Sequence, residues 1–324
     1  MAAFLIRRII QGIVVVALVT TIVFVLIHLA PGDPFASALG DPAITESVRA
    51  SLRHAYGLDR PLAEQYVRYV ASVARGDLGF SFSLRRPVAD VLADALPNTV
   101  LLMVLGLAAG FVLGIVVAIT QVRNRDRVID KLLGGVSLAF FAVPDFWLAL
   151  LVLALFAFWI PVFPIGGATD PVMHEIMSPA GRAWDRVRHL VLPASTLALL
   201  YFPVIARFQR AALLDALPSE YVTTARAKGV SERALVRRHA LRNALLPIVT
   251  LIGVAFPALL TGAVFIERVF SWPGMGWVIV NSINSRDYPL LTACVILGSV
   301  FVVAGSILAD VLYRMLDPRL RDER

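Results

Sequence analysis

The sequence predicts an all-α membrane protein with six transmembrane helices and an external helical insertion after the first. Three observations carry that prediction. Hydrophobic residues make up 58% of the 324-residue chain and charged residues 16%, against about 45–50% and about 25% in soluble domains. Six apolar runs are long enough to cross a hydrocarbon core of roughly 30 Å, which takes about 20 residues in a helix. The basic residues, finally, lie unevenly about those runs.

In order, the runs are Ile9–Leu29, Thr99–Val122, Leu132–Ile160, Leu190–Ala206, Ala244–Ile266 and Pro289–Tyr313. Each must be helical, because lipid offers no partner for an unpaired backbone N–H or C=O. The first exceeds the usual signal-peptide core of about 7–15 residues, and no small-x-small cleavage site follows it. It is therefore read as a retained span. The fourth is the shortest and contains Pro193 and Pro203, so its ends are the least defined.

Orientation follows from the basic side chains. Arg7 and Arg8 precede span one, and Arg123, Arg125, Arg127 and Lys131 lie between spans two and three. Arg207, Arg210, Arg226, Lys228, Arg233, Arg237, Arg238 and Arg242 lie between spans four and five, and Arg314, Arg319, Arg321 and Arg324 end the chain. All of these share one side if both termini are cytoplasmic. The net charge of +7 is thereby assigned to membrane orientation and not to nucleic acid.

The chain divides into residues 1–29, an external insertion over 30–98, and a five-span core over 99–324 with a cytoplasmic loop at 207–243. Within the insertion, Ile44, Val48, Leu52 and Tyr56 recur every four residues, and Leu62, Tyr66, Tyr69, Val70 and Val73 repeat at helical spacing. Pro61 is placed to open the second of these helices. The external segment 161–189 has a turn at Gly166 and Gly167.

In the loop 207–243, Ser219 is placed as an N-cap, starting a helix over Glu220–Lys228. Gly229 suits the left-handed position that ends it. Ser231 can cap a second, Arg-rich helix leading into span five. Composition alone reads such a loop equally well as a solvated connector.

Gly106, Gly110 and Gly114 form a small-residue stripe on span two, a signal for close helix packing. Pro144, Pro247 and Pro257 are expected to kink spans three and five. Asp145 is either a pathway-lining group or a packing group. Asp310 reads either as a pathway-lining or interhelical contact or, being close in sequence to Arg314, as a carboxylate near the cytoplasmic interface. Glu267 and Arg268 are expected to form an interfacial ion pair, and His28 to be interfacial.

Several functions are excluded. No Gly-x-x-x-x-Gly-Lys-Ser/Thr run exists to hold ATP, because Lys131 and Lys228 are the only lysines and neither follows glycine. There is no Gly-x-Ser-x-Gly elbow. His174-Glu175 lacks the second histidine of a zinc-protease helix, with serine at 178. The single cysteine, Cys294, forms no intrachain disulfide. The chain is expected to be non-catalytic, without a metal or cofactor of its own.

Tyr221-Val-Thr-Thr-Ala-Arg-Ala-Lys-Gly229 and His239-Ala-Leu-Arg-Asn-Ala-Leu-Leu-Pro247 resemble the cytoplasmic signature of ATP-binding-cassette (ABC) importer permeases. In particular they resemble the first-permease branch of the dipeptide/oligopeptide/nickel family. Thr223 and Thr224 replace the general pattern's Glu and first Ala, Ala225 and Gly229 match it, and His239 and Arg242 replace Ile and Pro. Pro31-Gly-Asp-Pro34, Tyr56-Gly-Leu-Asp-Arg-Pro61, Gly76-Asp-Leu-Gly79, Phe270-Ser-Trp-Pro-Gly-Met-Gly276, Arg286-Asp-Tyr-Pro289 and Asp317-Pro-Arg319 extend the resemblance nearly end to end. Ser306 stands where the branch commonly has Asn.

The resemblance implies a type I ABC importer permease fold of six spans in the inner membrane. It implies a coupling helix using Glu220, Tyr221, Thr224, Ala225, Ala227, Lys228 and Gly229 on two separate ATPase subunits, which carry the ATP and magnesium. A second permease, in a heterodimer, and an extracytoplasmic solute-binding protein complete the expected assembly. Short peptides are the expected cargo, with glutathione or nickel as alternatives. A nickel path favours His and carboxylate ligands, and the spans offer only His28, which favours peptides. A self-sufficient ion-coupled carrier using Asp145 and Asp310 is the competing class, but no inverted repeat is evident.

Overall fold

A computed structural model describes residues 2–29, 59–245, 248 and 263–316. Over these residues the protein is built almost wholly of helices. Four are long and apolar enough to cross a membrane, and a bent pair makes a fifth if it is one span. The expected fifth run, Ala244–Ile266, falls largely outside the described residues, as do Pro247, Pro257, the 44–56 periodicity and the tail from 317.

The first helix, α1 (Ala2–Leu29), starts seven residues before the apolar run and packs lengthwise on the last, α11 (Tyr288–Leu316). The contact is close at Gly12, where an added Cβ would lie 2.3 Å from Val303 Cγ1. About a turn farther toward the N-terminus of α1, Arg8 Nη2 meets Asp310 Oδ2 at 2.9 Å. Asp310 is thus an interhelical contact to Arg8, and Ser306 Oγ donates to Val302 O of its own helix.

The external helix expected at 62–73 is α2 (Leu62–Ala74), with Pro61 as its N-cap residue and not its first helical residue. It lies on the C-terminal part of α1. Tyr66 OH is 2.7 Å from Thr21 Oγ1, its ring meets Phe24 edge-on, and His28 Nε2 is 3.3 Å from Gln65 Oε1. His28 therefore belongs to a helix–helix contact. The helical periodicity gave no sign of the next element, a short antiparallel hairpin of β1 (Phe80–Ser81) and β2 (Arg86–Pro87). Its turn is pinned by buried Asp287, whose Oδ2 accepts from Ser81 Oγ, Ser83 N and Ser83 Oγ. Two segments some 200 residues apart in the sequence thus meet on one carboxylate.

Span two is part of α3 (Val88–Arg123), 36 residues long and therefore about 54 Å. It runs unbroken from the external insertion into the core, through position 98. The third apolar run is broken and not merely kinked. α4 (Val128–Ala142) and α5 (Asp145–Leu153) meet at 104°. Pro144 lacks the N–H a helix needs, and its ring disfavours helical geometry at Val143; Val143 is extended, with ψ 130°. A π-helical turn, Ala154–Trp159, ends this element.

The fourth run, expected to be short, is the core of the longest helix, α6 (Pro179–Ala216). Polar residues extend it at both ends beyond what hydropathy marks, and the chain absorbs Pro193 and Pro203 within it. Its principal partner is α3, through the expected stripe. A Cβ on Gly106 would lie 2.6 Å from Leu197 Cβ, and one on Gly114 2.6 Å from Ile205 Cβ. Gly114→Leu should therefore force the two longest helices apart, at a cost of about 1–3 kcal/mol or more as overpacking. The check is a lower melting temperature in detergent, with Gly135→Leu, where a Cβ meets nothing within 4 Å, as the control.

Candidate coupling site

After α6 the chain turns through Leu217–Ser219 into a short helix, α7 (Glu220–Ala227). Ser219 occupies the N-cap position, but its hydroxyl donates backwards to Ala216 O at 2.6 Å and not to the helix. It closes the corner between α6 and α7. At the other end Lys228 is the C-cap residue and Gly229 has φ +81°. Gly229 N donates to Arg226 O and Val230 N to Ala225 O. This pair of bonds is the Schellman motif, which satisfies the orphan carbonyls of a helix end and requires a left-handed residue.

The following segments, Glu232–Ala234, Leu235–Ala240 and Leu241–Ala244, succeed one another as a helical stretch, α8, with a π turn in its middle. Ser231 precedes it, again without a side-chain cap bond. Arg226 Nε donates to Glu232 Oε1 at 2.8 Å, tying α7 to α8 across the turn. This partner raises the pKa of Arg226 still further.

Helix α7 has two faces. Val222 is wholly buried and Ala225 nearly so, in an apolar cluster with Ala118 and Val122 of α3, Leu213 of α6 and Leu235, Val236 and Ala240 of α8. Glu220, Tyr221, Thr224, Ala227, Lys228 and Gly229 are exposed. Of the seven residues expected at this site, six therefore share the solvent side and Ala225 is part of the root. Val222 was not among them, yet it is the more deeply buried anchor. Its apolar side chain in the polar run Glu220–Thr224, three residues before Ala225, is the signal that marked it.

The result is a short lever about 12 Å long, attached by side-chain packing to both long helices. It presents polar atoms and one aromatic ring outward. Such a piece transmits a push applied from outside to α3 and α6.

Asp145 lies far from α7 in the sequence, at the first residue of α5. It is exposed, where the positive end of the helix favours a carboxylate. Phe146 and Trp147 beside it are also about half exposed.

On the side of α3 where Val88 begins the helix, the expected ion pair between Glu267 and Arg268 does not form. Glu267 follows the start of α9 (Val264–Val269) and is fully buried. Its Oε1 accepts from Thr99 Oγ1 at 2.8 Å, and its Oε2 from Gly276 N at 2.7 Å and Trp277 N at 3.2 Å. It thus receives the first N–H groups of α10 (Met275–Asn284), a carboxylate at a helix N-terminus. Arg268 turns away to Asn281 Oδ1. Gly274 makes this approach possible, because a Cβ there would lie 2.5 Å from Glu267 Oε2. Trp272 Nε1 closes the corner on Asn98 O at 3.0 Å.

Residues 1–103 match the N-terminal region, and residues 110–322 the main region, of a known membrane-component family. The chain is similar to the oligopeptide transport system permease protein AppB of Bacillus subtilis, at 35% identity over 99% of both chains. It is similar at 35% identity to the di/tripeptide transport system permease protein DppB of Pseudomonas aeruginosa, over 94% of this chain and 95% of that one. To the glutathione transport system permease protein GsiC of Escherichia coli K12 it is 34% identical, over 99% of both. With both regions matched in order along one helical membrane chain, the protein belongs to the family of binding-protein-dependent transport system inner membrane components.

Proposed function

We propose that this chain is one of two permease subunits of an ATP-driven importer of short peptides, and that α7 is the lever through which two separate ATPase subunits work it. The observation that carries this reading is the two-faced build of α7. Val222 and Ala225 root it on α3 and α6, while Glu220, Tyr221, Thr224 and Ala227 are exposed and open to a groove on a partner. Closure of two ATP-loaded partners would move α7 as a unit, because the Schellman turn at Gly229 and the Arg226–Glu232 pair hold its far end. ATP and magnesium belong to those partners, and this chain supplies force transmission and a wall of the pathway.

Both termini and α7 are read as cytoplasmic, from the basic residues around them. The α2–hairpin unit and the Glu267 corner then face outward, where a solute-binding protein would deliver cargo. A heterodimer supplies the other wall of the pathway, and Asp145, Phe146 and Trp147 are read as facing it, a reading their exposure supports.

Peptide cargo rests on the names of the relatives similar over nearly their whole length. The relative named for glutathione favours a second reading, and glutathione is itself a tripeptide. Uptake of a labelled dipeptide into vesicles holding the complete transporter tests both. ATP-dependent uptake that excess glutathione fails to inhibit supports the first reading. ATP-dependent uptake of glutathione but not of dipeptides moves the cargo to the second, and accumulation without ATP contradicts the mechanism itself.

A further inference from the structure

Along the line where α4 meets α6, a groove of about 1190 Å³ opens at the end of the bundle that carries α7. Its mouth holds Lys131 of α4 and Arg207 of α6, both exposed. Among the described residues neither makes an ion pair. The neighbouring Arg210 is already committed, its Nε and Nη2 donating to Asp130 Oδ1 and Oδ2 at 3.2 and 2.9 Å. Asp215 also borders the groove, but lies eight residues beyond Arg207 on α6, about 12 Å farther out.

Along the two helices, beyond Ser137 on α4, the lining turns apolar. Leu138 and Phe141 continue the α4 wall, and Pro203 and Val204 the α6 wall. Ten residues of helix separate Lys131 from Phe141, about 15 Å. The groove therefore has a cationic end and an apolar stretch, in which Leu138 and Phe141 are themselves exposed, both open at the side of the helix pair. A peptide, whose backbone needs polar partners along its whole length, matches this lining poorly. An amphiphile with an anionic head and hydrocarbon tails matches it end to end.

We infer that this groove is a binding site for an anionic phospholipid, its phosphate held by Lys131 and Arg207 and its acyl chains lying along Leu138, Phe141 and Val204. An ammonium and a guanidinium suit phosphate oxygens, and basic pockets between spans near the membrane surface favour anionic headgroups. A lipid there would brace α4, whose only buried residue is Asp130, against the helix that leads directly into α7.

The test is titration of the full delipidated chain in mild detergent with phosphatidylglycerol and, separately, phosphatidylethanolamine, read by native mass spectrometry. Phosphatidylglycerol should bind the wild type about thirtyfold more tightly than it binds the double variant Lys131→Gln/Arg207→Gln, at about fivefold per cation. Phosphatidylethanolamine should bind the two equally weakly. Should the double variant fail to fold, Lys131→Gln alone should show the fivefold loss. Equal phosphatidylglycerol affinity in wild type and variant overturns the inference. Displacement of the lipid by an equal concentration of glycerol 3-phosphate would make the groove a free-phosphate site, and displacement by dialanine a cargo path. Either result overturns it too.

Discussion

Glu267→Ala is expected to unfasten the end of the bundle where α3 begins, lowering stability by about 3 kcal/mol or more. The carboxylate accepts from the Thr99 hydroxyl and the Gly276 and Trp277 N–H groups in a fully buried position. Each donor left unpaired there costs about 1–3 kcal/mol. Gly274 and Trp272 pack on the same corner, so the loss spreads to the contact between α3 and α10. Glu267→Gln keeps an acceptor oxygen for the two N–H groups but offers Thr99 a donor instead of an acceptor, and it should cost about half as much. Thermal unfolding of the three proteins in one detergent checks the ranking. An alanine variant as stable as the wild type would show that the corner is held some other way.

Gly229→Val should cut ATP-driven transport by about tenfold or more while ATP hydrolysis by the partner subunits continues. The cause is conformational and not steric, since an added Cβ would meet no atom within 4 Å. Any L-residue at φ +81° pays about 1–2 kcal/mol, and a β-branched one more. The relief available is to abandon the left-handed turn, which breaks the Val230 N to Ala225 O bond and frees the end of α7. Gly229→Asn, which tolerates this conformation, should retain most of the transport. Reconstituted vesicles measure both rates on one sample, and unchanged coupled transport in the valine variant would remove α7 from the mechanism.

The sequence disclosed the membrane class, the small-residue stripe and the whole outline of α7, because each rests on a local rule. Apolar length, four-residue spacing and the Ser/Gly bounds of a short helix need no tertiary information. Helix ends were less legible. The polar residues 179–189 and 207–216 extend α6 beyond any hydropathy boundary because they are stabilised by what they pack on.

Nor could the sequence foretell the 104° break, which Pro144 permits but which the packing of α5 on α6 and α9 decides. The expected Glu267–Arg268 pair fails for a related reason. Adjacent residues on a helix point in different directions, and the partners of Glu267 come from Thr99, far off in the sequence, and from a helix N-terminus beyond a turn. The resemblance marks mostly the exposed residues of α7, whereas what roots the helix is the face turned inward, and Val222 on that face is buried only by α3, α6 and α8.

The central claim is that α7 joins this chain to ATPase subunits. Mass spectrometry of what co-purifies with the tagged chain in mild detergent tests it most directly, with Val222→Asp, which uproots α7, run beside the wild type. The account predicts that the wild type brings down P-loop ATPase subunits and a second permease, and that the variant keeps the second permease but loses the ATPases. Recovery of the wild-type chain alone, still carrying flux without ATP, would contradict it.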